Sequence, residues 1–204
     1  PAGKRWFQGL CSPMQGRDEG HGKVVWVVRD LTERRELQER LRELSYRDAL
    51  TGLYNRNYFE EYIENLQTNP VSVLSLLICD VDGLKDINDM AGHEAGDNVL
   101  QAAADVLRKT FRGDDCIARI GGDEFAVLLP GMRAGDLAKA VTRLSFNLEE
   151  YNNSSHAPSV NLSVGAASQA EGGIDIKQLF TEADRRMYEK KGKELKHTVT
   201  LRGI

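Results

Sequence analysis

The chain lacks a hydrophobic stretch long enough to cross a membrane. Its longest apolar runs, around Val24 to Val28 and Val71 to Cys79, fall well short of the ~20 residues a spanning helix needs. It also lacks the basic, apolar and small-residue succession of a secretory leader. Pro1 in first place reads as the start of an excised fragment, which leaves a span in the parent protein open. An excess of positive charge is missing too: 27 Lys and Arg stand against 31 Asp and Glu, for a net charge of −4. Bulk electrostatics therefore give no reason to expect a nucleic-acid partner. Cysteine is scarce and odd in number, and two of the three, Cys79 and Cys116, sit inside apolar strand patterns. No even disulfide framework follows, and reduced core thiols in a cytoplasmic protein are expected.

What is present fits one good core plus an appendage, since 204 residues exceed the needs of a single small domain. Residues 1–30 carry Trp6, Phe7 and the run Val24 to Val28 on either side of a polar, Gly-rich stretch, the pattern of two strands and a long turn. They resemble the last strands of a PAS sensor domain; the alternative is a remnant of where the chain was cut. A hairpin alone is marginal in water, so these strands need a partner, either the main body or a second chain. Asp30 and Glu33 form a capping signal for a charged helix over residues 31–46. Its Leu37, Leu41 and Leu44 are spaced as the seam of a short coiled coil. Such a helix either pairs two chains and sets their orientation, or is a linker packing its leucines on its own domain.

From residue 47 onward the pattern predicts a helix capped by Asn55 and running to Gln67. A buried strand near 71–79 follows, then a short helix over 84–90 and a longer one from Asp97 to Phe111 with Leu100, Ala103, Ala104 and Leu107 on its apolar face. Next come a hairpin, a helix from Asp136 to Tyr151, a strand over 159–167 and a helix capped by Asp175 that reaches Lys191. Thr198 to Arg202 reads as a final edge strand. With accessory helices set aside the order is β-α-β-β-α-β. The expectation is an α+β, ferredoxin-like fold, an antiparallel central sheet with flanking helices mainly on one face.

Two stretches carry chemistry. In Cys116 to Leu129 two apolar runs meet at Gly121-Gly122, a hairpin with a tight glycine turn, and Asp123 and Glu124 follow directly. Acids beside a turn bare of side chains leave room for a polyanion and its metal to approach the backbone. In Val71 to Asp97 a buried strand delivers Asp80, a turn follows at Asp82-Gly83, and Lys85 comes two residues later. A carboxylate there suits a metal-bound phosphate.

Together these motifs resemble the GGDEF domain of diguanylate cyclases, which join two GTP into cyclic di-GMP. The resemblance covers about Tyr46 to His197, including Arg47-Asp-Ala-Leu-Thr-Gly-Leu-Tyr-Asn-Arg56, and the family fold is related to class III nucleotidyl cyclase and polymerase palm cores. It implies that Asp80, Asp123 and the Val81 carbonyl hold metal, and that Glu124 ligates metal or acts as base. Oxygen ligands and a triphosphate point to Mg²⁺, with Mn²⁺ as the alternative. It implies guanine recognition by Asn88 and Asp97, since a carboxylate can accept from both N1–H and N2–H₂ of guanine; Asp97 can equally cap its helix. Leu84 and Leu100 become apolar walls for the base, Gly122 a point of close substrate approach, and Lys85 and Lys191 triphosphate ligands. The late element Ala183-Asp184-x-x-x-Tyr188-x-x-Lys191 departs from the family in having Leu195 where many members have arginine. Either Lys193 reaches round or that contact is missing. Arg112 and Asp115, with five residues between Asp115 and Gly121, match the family's inhibitory RxxD site for its own product. His93 has no metal-ligand partners nearby and is given no role.

The resemblance implies a homodimer, because each subunit holds one GTP, and an upstream sensor domain. The rival reading is a catalytically silent receptor binding cyclic di-GMP through Arg112 and Asp115, against which the intact acidic set weighs. A third, an adenine-containing product, is opposed by Asp97.

Overall fold

A computed structural model describes residues 5–14, 23–154, 158–170 and 175–194. The chain divides into two compact units, Pro1–Ser45 and Tyr46–Ile204. In the first, β1 (Phe7–Met14) pairs antiparallel with β2 (Lys23–Asp30), from Phe7 opposite Asp30 to Met14 opposite Lys23. Helix α1 (Thr32–Tyr46) follows, and Asp30 caps it by accepting from the Thr32 N–H at 2.9 Å. The hairpin is tied to this helix start: Leu31 N–H donates to the Trp6 carbonyl at 2.8 Å, and the Arg35 guanidinium lies 4.3 Å over the Trp6 ring. Trp26 and Leu10 remain 69% and 63% exposed, so this ribbon buries little of its apolar surface on its own. Leu37 is exposed; the side chains of Leu41 and Leu44 lie outside the described residues, as does the expected strand Thr198 to Arg202.

The second unit holds a five-stranded sheet in the order β3-β5-β6-β4-β7. Strand β4 (Val73–Val81) is its spine, with all nine residues buried, as a continuous apolar run between two strands requires. It pairs antiparallel with β6 (Glu124–Pro130) on one side and with β7 (Leu162–Ala170) on the other. Strand β5 (Cys116–Arg119) pairs antiparallel with β6, and β3 (Tyr54–Asn55) adds a short parallel edge that the sequence pattern did not announce. The β-α-β-β-α-β core is therefore β4, α4 (His93–Thr110), β5, β6, α5 (Ala134–Ser154) and β7.

The helices do not gather mainly on one face. Successive residues of β4 point to opposite sides, and each side has its own core. Leu77, Cys79 and Val81 pack with Leu107 of α4 and Leu144 of α5. Leu74, Leu76 and Ile78 pack with Phe59 of α2 (Arg56–Thr68) and with Leu179 and Met187 of α6 (Ile176–Glu194). Apolar residues on both faces of the central strand demand cover on both faces. Burial pushes the Cys116 thiol up to about 12, in keeping with a reduced core cysteine.

Two boundaries shift. Helix α4 begins at His93, not Asp97, because Gly92 at φ +87° ends α3 (Leu84–Ala91) and restarts the chain at once. Asp97 is thus an internal helical residue and not a cap. Strand β7 runs three residues later than the alternation suggested, because Val160 is held before it by Asn152, whose side chain bonds both the Val160 N–H and its carbonyl, at 2.9 and 2.8 Å.

Candidate active site

The acids meet through sheet register. Asp80, near the end of β4, lies opposite Glu124, the first residue of β6, and the Val81 N–H donates to the Asp123 carbonyl at 2.9 Å. The turn between β5 and β6 closes with the Ile120 N–H on the Glu124 carbonyl at 2.9 Å. Its two glycines have separate reasons. A Cβ on Gly121 would lie 2.6 Å from Glu124 Oε2, so a side chain there would make this carboxylate swing away from the turn it folds over. A Cβ on Gly122 would meet nothing within 4 Å, so the backbone there is open to approach from outside.

The electrostatics follow from crowding. Burial raises the pKa of Asp80, with Asp123 and Asp82 adding to the rise and a hydrogen bond from Lys191 opposing it. Burial also raises Glu124, reinforced by the charges of Asp123, Asp80 and Asp184. Helix α6 brings Asp184, Tyr188 and Lys191, spaced four and three, along one stripe toward these acids. Lys191 Nζ lies 2.5 Å from Asp80 Oδ1, an ion pair joining residues 111 apart in the chain.

Among the described residues no three acidic, histidine or cysteine side chains form a ready-made metal cage. The donors nevertheless suit a hard divalent cation. They are oxygens only, like charges raise one another's pKa, and one carboxylate already carries a cationic group, the Lys191 ammonium.

The remaining expected residues fall into groups. Lys85 and Asn88 lie on α3, which packs on α4. A Cβ on Gly96 would collide with Asn88 Oδ1, so the Asn88 amide sits against the turn of α4 that carries Asp97. Lys85 and Asp97 are exposed; Leu84 borders the core, whereas Leu100 is inside it at 4% exposure. Arg112 and Asp115 form a tight turn between α4 and β5, with the Arg112 N–H donating to Asp115 Oδ2 at 2.8 Å and the Asp115 N–H to the Arg112 carbonyl at 3.1 Å. The side chains of Lys190 and Lys193, and Leu195 altogether, lie outside the described residues. A cleft of about 720 Å³ between α5, β7 and α6 shares no residue with this site.

Sequence reasoning gave no role to Arg119 and Asp48. Arg119 Nη2 donates to the Gly122 carbonyl at 2.7 Å, while Nη1 pairs with Asp48 at 3.3 Å, both side chains being mostly buried. Asp48 in turn accepts from the Thr51 N–H and hydroxyl at 2.8 and 2.7 Å. The glycine turn is thereby clamped to the segment at the start of the domain. A lone arginine at the end of an apolar strand was the visible signal for one half of this clamp.

Comparison with known proteins agrees with the geometry. The family model "Diguanylate cyclase, GGDEF domain" matches residues 45–197. The diguanylate cyclase DgcM of Escherichia coli (strain K12) is 34% identical over 175 residues, 84% of this chain and 42% of that protein. The diguanylate cyclase DgcS of Shewanella oneidensis is 36% identical over 150 residues, 71% of this chain and 49% of that protein. The chain thus spans less than half the length of these curated relatives. Among solved structures, the diguanylate cyclase SiaD of Pseudomonas aeruginosa, in complex with its activator SiaC, is similar at a TM-score of 0.67 and 32% identity, covering 79% of this chain and 64% of that one. The coiled coil and GGDEF domain of DgcB from Caulobacter crescentus, in complex with c-di-GMP, gives 0.68 at 25% identity, covering 79% and 88%. With three quarters of its residues matched to one family model and its acids gathered at the glycine turn, the chain belongs to the GGDEF-domain diguanylate cyclase family.

Proposed function

We propose that the chain condenses two GTP molecules into cyclic di-GMP and two pyrophosphates. The observation that carries this reading is the register of β4 and β6, which sets Asp80 opposite Glu124 and fastens the neighbouring Asp123 to Val81, beside a backbone open to substrate. In each of two steps a 3′-oxygen bonds to the α-phosphorus of the other GTP, the bond to the bridging oxygen breaks, and pyrophosphate leaves. Asp80, Asp123, Glu124 and the Val81 carbonyl would hold Mg²⁺ or Mn²⁺, which lowers the pKa of the attacking hydroxyl and neutralises charge on the leaving oxygens. Glu124, with its raised pKa, is suited to take the hydroxyl proton. Lys85 and Lys191 face the triphosphate, and Asn88 and Asp97 read guanine; a site built on that hydrogen-bonded pair would leave its carboxylate unpaired with adenine.

Each subunit holds one GTP, so the reaction requires a homodimer. The Arg112–Asp115 turn is the inhibitory site for the product, and the exposed apolar ribbon of the first unit is the joint to a sensor domain in a cytoplasmic signalling protein. The test is incubation with GTP and Mg²⁺, after removal of co-purified cyclic di-GMP, with product followed by chromatography. The intact chain should turn over, and progress should bend as product accumulates, less so with Arg112→Ala. Asp123→Ala/Glu124→Ala should lose at least ~10²-fold in rate. No turnover at high protein concentration, together with tight cyclic di-GMP binding, would instead identify a receptor.

A further inference from the structure

We propose that Lys191 serves the site twice: it is the counter-ion of Asp80 before metal and nucleotide bind, and it moves to the triphosphate when they do. The inference rests on the reading of Asp80 as a metal ligand. The ammonium is not a loose surface group. It lies 2.5 Å from Asp80 Oδ1, with the lysine side chain 29% and the aspartate side chain 10% exposed. Burial disfavours the ammonium, but the hydrogen bond to Asp80 and the charges of Asp80, Asp82 and Asp123 outweigh it, so the lysine stays charged.

Its base is fixed. Helix α6 is seated on β7 so closely that a Cβ on Gly165 would strike the Ala183 carbonyl and the Met187 N–H. Only the side chain beyond this seat is free to swing. A divalent ion held by the Asp80 carboxylate would repel the ammonium in contact with that carboxylate, so Lys191 would have to withdraw for it. A triphosphate bound beside that ion then offers the withdrawn ammonium a new anion. Metal binding without nucleotide is therefore opposed by Lys191, whereas metal binding with nucleotide is assisted by it. The site is weak for the metal alone and stronger for the metal together with nucleotide.

The experiment measures Mn²⁺ affinity from the loss of the free-ion paramagnetic resonance signal. It is done with no nucleotide and again with a GTP analogue bearing a methylene between the α- and β-phosphorus atoms, which cannot release pyrophosphate. Lys191→Met, checked by thermal unfolding to be folded, should bind Mn²⁺ alone several-fold more tightly than the parent and bind it with the analogue several-fold more weakly. Lys191→Arg, which keeps the charge, should leave Mn²⁺ affinity without nucleotide near the parent value. A purely structural lysine would move both affinities the same way, and that outcome, or unchanged affinity without nucleotide, overturns the proposal while leaving the cyclase reading intact. If the parent chain binds no Mn²⁺ even with the analogue, the metal-dependent reading falls and this proposal falls with it.

Discussion

Asp48 shows how one side chain can hold an active-site turn that it does not itself form. Burial alone would raise its pKa, but the Thr51 hydrogen bonds and the Arg119 charge overcome that and hold the carboxyl below the usual aspartate range. A depressed carboxylate contributes stability that is fully present above its unfolded pKa of about 3.9 and is lost as the pH falls through the lower folded value. Asp48→Asn should therefore cost about 1–2 kcal/mol near pH 7, allowing for its partial exposure. The gap to the parent should begin to narrow below about pH 4 and close only below the lower folded value. Denaturant unfolding at pH 7 and pH 3 checks both parts; a gap that persists undiminished at pH 3 would show that the charge is not what matters. Because Arg119 also binds the Gly122 carbonyl, the same variant should slow turnover more than it weakens the fold.

Among the elements, α6 couples packing to chemistry most directly. Its seat on β7 depends on a missing Cβ at Gly165, and its far end supplies Lys191 to Asp80. Gly165→Ala would press a methyl into backbone that cannot turn aside, so the helix must lift as a whole. The expected cost is about 2–3 kcal/mol, at the upper end of overpacking effects. A change of one carbon remote from the acids should also lower the rate by displacing Lys191. Thermal unfolding and the GTP assay, run on the same variant, check this; a stable and fully active Gly165→Ala would mean that the seat is looser than its geometry implies.

For the whole molecule the proposed cyclase reaction makes the meeting of two GTP-loaded subunits the controlling quantity. If each chain brings half of the reactants, specific activity should fall on dilution and the initial rate should approach second order in protein at low concentration. Measuring rates across a hundredfold dilution series tests this, and constant specific activity throughout would remove the dimer from the mechanism or show that it does not dissociate. The first unit bears on this scale too, since a two-stranded ribbon with Leu10, Trp26 and Val28 exposed has apolar surface to give to a partner.

The sequence by itself determined those features that need only neighbouring residues. The apolar run ending in Asp80, the glycine pair followed by Asp123 and Glu124, the caps at Asn55 and Asp175, and the order of the core elements were legible because strand pattern, turn chemistry and helix caps are written within a few positions. Tertiary structure alone decided the contacts between distant parts. The pairing of Lys191 with Asp80 and the clamp from Asp48 to Arg119 belong to that class. Each depends on sheet register or on the seating of one helix against another element, and neither leaves a local mark: a lysine at a helix end reads the same whether it faces water or a buried carboxylate. Folding chose between those two by burying Asp80 where Lys191 reaches it.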